Sequence, residues 1–215
     1  MKKIIATFCT LFLFTTISAK AEIGFGITGA VHMIDGKGTE ITRESGERNK
    51  GSHDETAVIP ELFIEAISET GFTMGISYVP TRELGSKSRS DTNSDGDTGT
   101  YTAKAELDDV VQFYADIPAA EIYGFQTHVK LGIQHVELTS LESLNSGSAY
   151  PSKDILGYTI GYGIKGDLAY GEGLYYKGEL TYTNFEDITL DSTAGNKVEA
   201  ELEDYAAKIS IGYKF

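Results

Sequence analysis

The chain has 215 residues, with 18 basic and 32 acidic side chains and a formal charge of −14. This acidic balance excludes a typical nucleic-acid-binding protein, because phosphates attract basic surfaces, and it argues against a basic helix that binds anionic membranes. The length suits one domain. After residue 21, no apolar run approaches the roughly 18 residues that a transmembrane helix requires.

The first 21 residues are predicted to be a cleavable signal peptide. A basic start is followed by an apolar stretch over residues 4–17 and by the small-x-small pattern Ala19-Lys20-Ala21, which is typical of a cleavage site. A membrane anchor is the alternative, but the apolar run is short for one. The only cysteine, Cys9, lies in this segment, and removal of its three lysines would leave residues 22–215 at −17.

Residues 22–215 show repeated alternation of apolar and polar side chains, which indicates β-strands. Long polar stretches, at about 36–55, 81–99, 138–154 and 186–200, alternate with three short turns. Proline lacks the N–H that a strand ladder needs, so Pro60 predicts either a bulge or a later start of the second strand. The predicted strands, in chain order, cover about 22–34, 56–68, 72–80, 100–117, 123–137, 156–165, 174–185 and 201–215.

This layout predicts an all-β, eight-stranded antiparallel up-and-down barrel that spans a membrane, with short turns on one side and long loops on the other. A soluble barrel, with its apolar face inside, is the alternative. Charge balance favours the membrane barrel, because the polar faces of the strands carry equal numbers of acids and bases, as a narrow interior of paired ions requires. The predicted lumenal charges are Glu61, Glu65, Lys104, Glu106, Asp108, Asp116, Lys130, Lys165, Lys177, Glu179, Lys208 and Lys214.

The last strand runs to the final residue, with Ile209, Ile211, Tyr213 and Phe215 on its apolar face. This ending resembles the C-terminal signature that the barrel-assembly machinery reads in outer-membrane proteins. Over residues 22–215 the chain resembles the small eight-stranded outer-membrane barrel superfamily that includes the OmpA membrane domain and OmpX-like proteins. The resemblance implies a location in the outer membrane of a Gram-negative-type bacterium, with outer-membrane lipid and lipopolysaccharide as neighbours.

The histidines do not form the pattern of an enzyme that acts on lipid A. Deacylases of that class present a histidine and a serine two residues apart, whereas Val129 and Lys130 follow His128, and Val136 and Glu137 follow His135. Residues 52–54 read Ser-His-Asp, but three consecutive residues do not converge as a catalytic triad. The sequence therefore predicts no catalytic site and no cofactor.

One loop motif has oxygen ligands at alternate positions: Asp91, Asn93, Asp95 and Asp97, with Gly96 at the turn. It resembles the start of a calcium loop, but the twelfth position is a threonine instead of a bidentate glutamate. A solvated loop is the favoured interpretation, and a weak calcium or magnesium contact that bridges lipopolysaccharide phosphates is the alternative.

The favoured function is non-catalytic support of the cell envelope, with acidic loops available for surface contacts. The lumenal charges then form salt bridges that close and stiffen the barrel. The second hypothesis is a narrow channel for ions or small solutes, gated by rearrangement of the same charges. The sequence identifies no loop partner.

Overall fold

The structure, a computed structural model, describes residues 21–43, 45–92, 98–143, 150–169, 171–193 and 195–215. Among these residues, no helix is long and apolar enough to cross a membrane. The predicted signal peptide lies almost entirely outside them and stays a prediction. The strands are β1 (Glu22–Ile41), β2 (Arg48–Ile67), β3 (Thr73–Val79), β4 (Arg82–Thr92), β5 (Thr98–Ile122), β6 (Phe125–Ser143), β7 (Lys153–Asp167), β8 (Leu174–Phe185), β9 (Ile188–Asp191) and β10 (Lys197–Lys214).

Eight of these strands form a closed antiparallel ring, in the order β1-β2-β3-β5-β6-β7-β8-β10, and β10 pairs with β1. Two backbone hydrogen bonds between Ile23 and Phe215, of 3.1 and 3.2 Å, join the start of β1 to the residue that follows β10. β4 pairs only with β5, and the four-residue strand β9 pairs only with β10, so neither is a member of the ring. The predicted all-β fold with eight antiparallel barrel strands is confirmed.

The apolar face of the ring points outward and the polar face points inward. Because this arrangement is unfavourable in water, it contradicts the soluble-barrel alternative and fits a barrel surrounded by lipid. The exposed belt contains Phe25, Ile27, Val31, Met33, Val58, Leu62, Ile64, Leu131, Ile133, Ile160, Leu180, Ile209 and Ile211.

The pattern inverts toward the end of the barrel that carries the long loops. Along β6, the apolar Ile133 faces outward and the polar Gln134 faces inward. Further along the same strand the inward residues Val136 and Leu138 are apolar, and the acidic Glu137 between them faces outward. Outside the membrane the outer wall meets water, so the apolar side chains there pack inside the barrel. The resulting apolar layer contains Ile34, Ile59, Val79, Leu107, Val110, Val136, Leu138, Ile155, Phe185, Ile188, Leu190 and Leu202.

The strands extend further into the predicted loops than the sequence indicated. β1 and β2 continue their ladder up to the pair Ile41 and Arg48, so most of the predicted loop over residues 36–55 is a paired ribbon. The expectation of a bulge or a later strand start at Pro60 is wrong. The register with β1 runs straight through the pair Gly29 and Pro60, and β2 pairs with β3 only from Leu62 onward, so the proline lies beyond the end of that second ladder.

Candidate functional site: the buried charge network of the barrel

Near the short turns, a lower cluster of charged side chains is centred on Glu65. Its carboxylate accepts hydrogen bonds from Lys177 Nζ at 2.6 Å, from the Tyr114 hydroxyl at 2.5 Å and from the Tyr175 hydroxyl at 2.8 Å. Lys177 also lies 3.7 Å from Asp116 Oδ2. A carboxylate buried to this extent is tolerated only when donors surround it, and here β5 and β8 supply the donors to Glu65 of β2.

The same cluster continues across the lumen to β6. Lys130 Nζ lies 2.9 Å from Asp116 Oδ1 and 3.0 Å from Glu179 Oε1, and His128 Nε2 lies 2.8 Å from Glu179 Oε1. Lys130 also sits over the Tyr114 ring, 3.6 Å from its centroid, a favourable cation–π position. Asp116 and His128 are each 0% exposed, so this part of the lumen is packed with side chains.

Nearer the long loops lies an upper cluster, held by β1, β2, β4 and β10. His32 bridges two carboxylates, with Nδ1 2.8 Å from Asp204 and Nε2 3.1 Å from Glu61. Lys208 Nζ donates to Glu61 at 2.7 Å, and Arg82 lies 3.4 Å from Asp204. The two carboxylates face two permanent cations, so this cluster is neutral before the histidine is counted.

A metal ion is a second possible use of the lower cluster. Ligand atoms of Asp116, His128 and Glu179 lie within 4.8 Å of one another. However, the ammonium groups of Lys130 and Lys177 already approach these carboxylates and supply the positive charge that a metal ion would bring. The geometry therefore favours a network of ion pairs over a metal centre.

Most predicted lumenal charges are buried inside the barrel. Lys165 completes the lower end, where its ammonium donates to the Gly71 carbonyl and lies 3.1 Å from the Thr73 hydroxyl. Lys214 lies at the rim and pairs with Glu22 and Asp167 at 3.3 and 3.1 Å. The inward, buried members are Glu61, Glu65, Asp116, Lys130, Lys165, Lys177, Glu179 and Lys208.

Three predicted lumenal residues, Lys104, Glu106 and Asp108, point the other way, so their assignment to the lumen is wrong. A bulge in β5 between Asp108 and Val111, with Asp109 at φ 47°, reverses which side chains face inward. Above the bulge, Leu107 is buried in their place.

On the outer surface, Lys104 Nζ donates to Glu83 Oε2 at 2.7 Å. This hydrogen bond lowers the pKa of the Glu83 carboxyl. The pair is solvent-exposed and lies outside the membrane belt.

Several members of the network were missed by sequence reasoning. Arg82 falls in a stretch that the sequence assigned to a loop, and Asp204 was not included among the lumenal charges. Tyr114 and Tyr175 join the network through their hydroxyl groups, whereas the alternation indicated only charged side chains as members. His32 was expected to face the lumen opposite His128, but its role as a bridge between two carboxylates depends on strand register, which periodicity does not reveal.

The other predicted sites have different outcomes. Ile209, Ile211 and Tyr213 lie on the outward face of β10, and Phe215, which follows it, is also exposed. The centroid of the Phe25 ring lies 6.1 Å from that of Tyr213 and 6.3 Å from that of Phe215. Their role as an assembly signal stays a prediction. Of the loop motif, Asn93, Asp95 and Asp97 lie outside the described residues, as does the side chain of Asp91, so cation binding there also stays a prediction.

Comparison with known proteins gives similarity at the level of fold. No family model matches the chain, and no curated protein matches its sequence. The outer membrane protein OprG from Pseudomonas aeruginosa superimposes with a TM-score of 0.54 at 13% identity, over 91% of this chain and 97% of that one. Outer membrane protein AlkL gives 0.51 at 9% identity, over 94% and 95%. The outer membrane protease OmpT from Escherichia coli gives 0.50 at 10% identity, over 94% and 99%.

These similarities agree with the outward apolar belt and the closed ring. They extend over nearly the whole of each chain, so the likeness concerns the complete barrel and not a shared fragment. At such low identity they carry no activity from one protein to another. The chain is therefore an eight-stranded antiparallel β-barrel with the fold of these outer-membrane proteins.

Proposed function

We propose that the protein is a non-catalytic, non-conducting barrel that supports the integrity of the outer membrane. The observation that carries this proposal is the occupation of the lumen by two layers of paired charges. The lower cluster joins β2, β5, β6 and β8, and the upper cluster joins β1, β2, β4 and β10. Ion pairs that connect strands across a barrel hold its wall together and leave little room for a continuous column of water.

The position of the two buried histidines supports a non-catalytic role. His32 and His128 are both tied to carboxylates inside the barrel. A hydrolytic site on an envelope substrate needs its base within reach of that substrate. Neither of these buried side chains meets that requirement.

Surface contacts are the second part of the proposal. Outside the membrane belt the outer wall carries acidic side chains, including Asp35, which pairs with Lys37, and Glu199, which pairs with Arg48 and Lys197, besides Asp54 and Glu203. An acidic wall next to lipopolysaccharide phosphates favours contacts through divalent cations, because like charges otherwise repel. Lipopolysaccharide is thus the proposed neighbour, and the barrel-assembly machinery is the proposed partner during insertion.

A narrow channel is the competing function, and one feature favours it. From the short-turn end, a polar vestibule of about 870 Å³ reaches inward to Glu65, Lys165 and Tyr175. Water from that side therefore reaches the lower cluster. Conduction would then require both clusters to rearrange.

Single-channel recording in planar bilayers separates these two functions. We expect the purified, folded protein to give no unitary conductance steps, because both charge layers remain closed. Reproducible steps whose size changes in a Lys130→Met variant would contradict the proposal and establish the channel. The folded state of both proteins is checked first by the shift in gel mobility that boiling produces.

A further inference from the structure

One cation of the upper cluster comes from a strand outside the ring. Arg82 is the first residue of β4, which pairs only with β5 in the part of the chain that the structure describes. Its side chain is nevertheless buried, and its guanidinium reaches His32 and Asp204 inside the barrel. Arg82 therefore fastens the start of β4 to β1 and β10, two strands with which β4 shares no described ladder.

The ring nitrogen Nδ1 of His32 has two close partners that it cannot satisfy together. It lies 2.8 Å from Asp204 Oδ2 and 3.0 Å from Arg82 Nη1. A carboxylate only accepts hydrogen bonds and a guanidinium only donates them, whereas a ring nitrogen either carries a proton or accepts one. A proton on Nδ1 therefore satisfies Asp204 and opposes Arg82, and a bare Nδ1 does the reverse.

The other ring nitrogen of His32 brings in a third strand. Nε2 lies 3.1 Å from Glu61 Oε1 on β2. In the neutral ring with a bare Nδ1, Nε2 donates to Glu61 while Arg82 donates to Nδ1. In the imidazolium both nitrogens donate to carboxylates, so no acceptor on the ring remains for Arg82. The two protonation states of one histidine thus have different partners, which is what a protonation switch requires.

The charges around His32 act in the same direction. The charged groups of the cluster are Glu61 on β2, Asp204 and Lys208 on β10 and Arg82 on β4. These four charges cancel, so protonation of His32 gives a buried cluster a net positive charge. Lys208 belongs to a ring strand and donates to Glu61 at 2.7 Å. Arg82 has only a 3.4 Å contact with its carboxylate, and its buried Nε has no partner among the described residues, so Arg82 is the cation that leaves.

We propose that His32 and Arg82 form an acid-sensitive latch that holds the start of β4 against the barrel. With a neutral His32, the guanidinium stays in the upper cluster and the latch is closed. Histidine is the side chain whose charge ordinarily changes between about pH 8 and about pH 5. Protonation of His32 expels the guanidinium, and the start of β4 moves away from β1 and β10. The ring keeps its ladders, because β4 is not one of its members.

The distance between two spin labels tests the latch. Residues 22–215 contain no cysteine, so Ser86→Cys with Glu201→Cys places one label on β4 and one on the ring strand β10, both at exposed positions. The protein is folded into phosphatidylcholine vesicles and measured by double electron–electron resonance at about pH 8 and about pH 5. We expect a population at longer distance at the lower pH that is nearly absent at the higher one.

Three further variants, made in the same doubly labelled protein, identify the groups responsible. His32→Gln cannot gain a charge and is expected to give the same short distance at both pH values. Arg82→Met removes the cation of the latch and is expected to give the longer population at both. His135 faces outward on β6 and pairs with Asp154 at 3.3 Å, so His135→Gln is the matched control and is expected to keep the full pH response.

A distance that does not change with pH in the doubly labelled protein would overturn the proposal. So would a pH response that survives in His32→Gln, because another titrating group, such as His128 in the lower cluster, would then control β4. These two results decide the proposal even if Arg82→Met does not fold, and folding is checked by the heat-dependent gel shift. They are independent of conductance, because the labels report on β4 and not on the closure of the lumen.

Discussion

Replacing Lys177 by methionine is expected to lower the free energy of unfolding by about 3–5 kcal/mol, the usual cost of removing one partner of a buried ion pair. The ammonium lies 2.6 Å from Glu65 and 3.7 Å from Asp116, and its loss leaves two buried carboxylates short of positive charge. Urea unfolding in vesicles measures the change, with the heat-dependent gel shift as readout because the chain contains no tryptophan.

The matched control is Lys104→Met, which removes the same group from an exposed ion pair with Glu83. Exposed pairs contribute little to stability, so the unfolding midpoint of this variant is expected to stay at the wild-type value. Adding Glu65→Gln to Lys177→Met is expected to restore part of the loss, since the uncompensated charge is then gone. Equal midpoints for Lys177→Met and Lys104→Met would show that the lower cluster does not stabilise the barrel.

Replacing Gly26 by leucine is expected to prevent folding of the barrel. Gly26 faces the crowded interior, where an added Cβ would overlap the Ile211 carbonyl oxygen and lie 2.5 Å from the Phe63 ring and 2.7 Å from the Gly212 Cα. Two of these three atoms belong to the backbone of β10, so the clash cannot be relieved by a rotamer change. Overpacking a well-packed interior already costs about 1–3 kcal/mol when only side chains must move.

Gly29→Leu on the same strand provides the comparison, because its side chain enters the lipid and its Cβ meets no atom within 4 Å. We expect this variant to refold into vesicles with the wild-type yield, whereas Gly26→Leu gives no heat-modifiable form. If both variants fold equally well, the interior is less tightly packed than the structure indicates.

The sequence was sufficient for the fold because its strongest signals are local. Alternation along single strands and the long and short spacing of the connections predict the eight-stranded ring. The inward position of Glu65, Lys130 and Lys177 follows from the same alternation, as long as a strand stays in register.

The errors lie where alternation changes for a non-local reason. In β5 the pair Val110 and Val111 places two apolar residues in succession, which is a visible trace of the bulge, but only the ladder with β6 shows that Lys104 consequently faces outward. In β6 the apolar side chain faces outward at Ile133 and inward at Val136, and this change marks the membrane boundary. That change has physical meaning only once the environment of each face is known.

Partners within the network were beyond sequence reasoning for a different reason. The contact of Glu65 with Tyr114, Tyr175 and Lys177 joins residues 49 to 112 positions apart. Such contacts depend on the stagger of strands around a closed barrel. Periodicity gives the face of a side chain but not the height at which strands align.

The apolar face of this barrel is expected to contact lipid, and quenching by brominated lipid tests that contact most directly. Residues 22–215 contain no cysteine, so a single Ile133→Cys variant labelled with a small fluorophore reports on one position of the belt, and Ser52→Cys reports on β2 outside the membrane. In vesicles of chain-brominated phosphatidylcholine, we expect strong quenching at position 133 and little at position 52. Equal, weak quenching at both positions would contradict the membrane assignment, because the apolar face would then be shielded from the lipid.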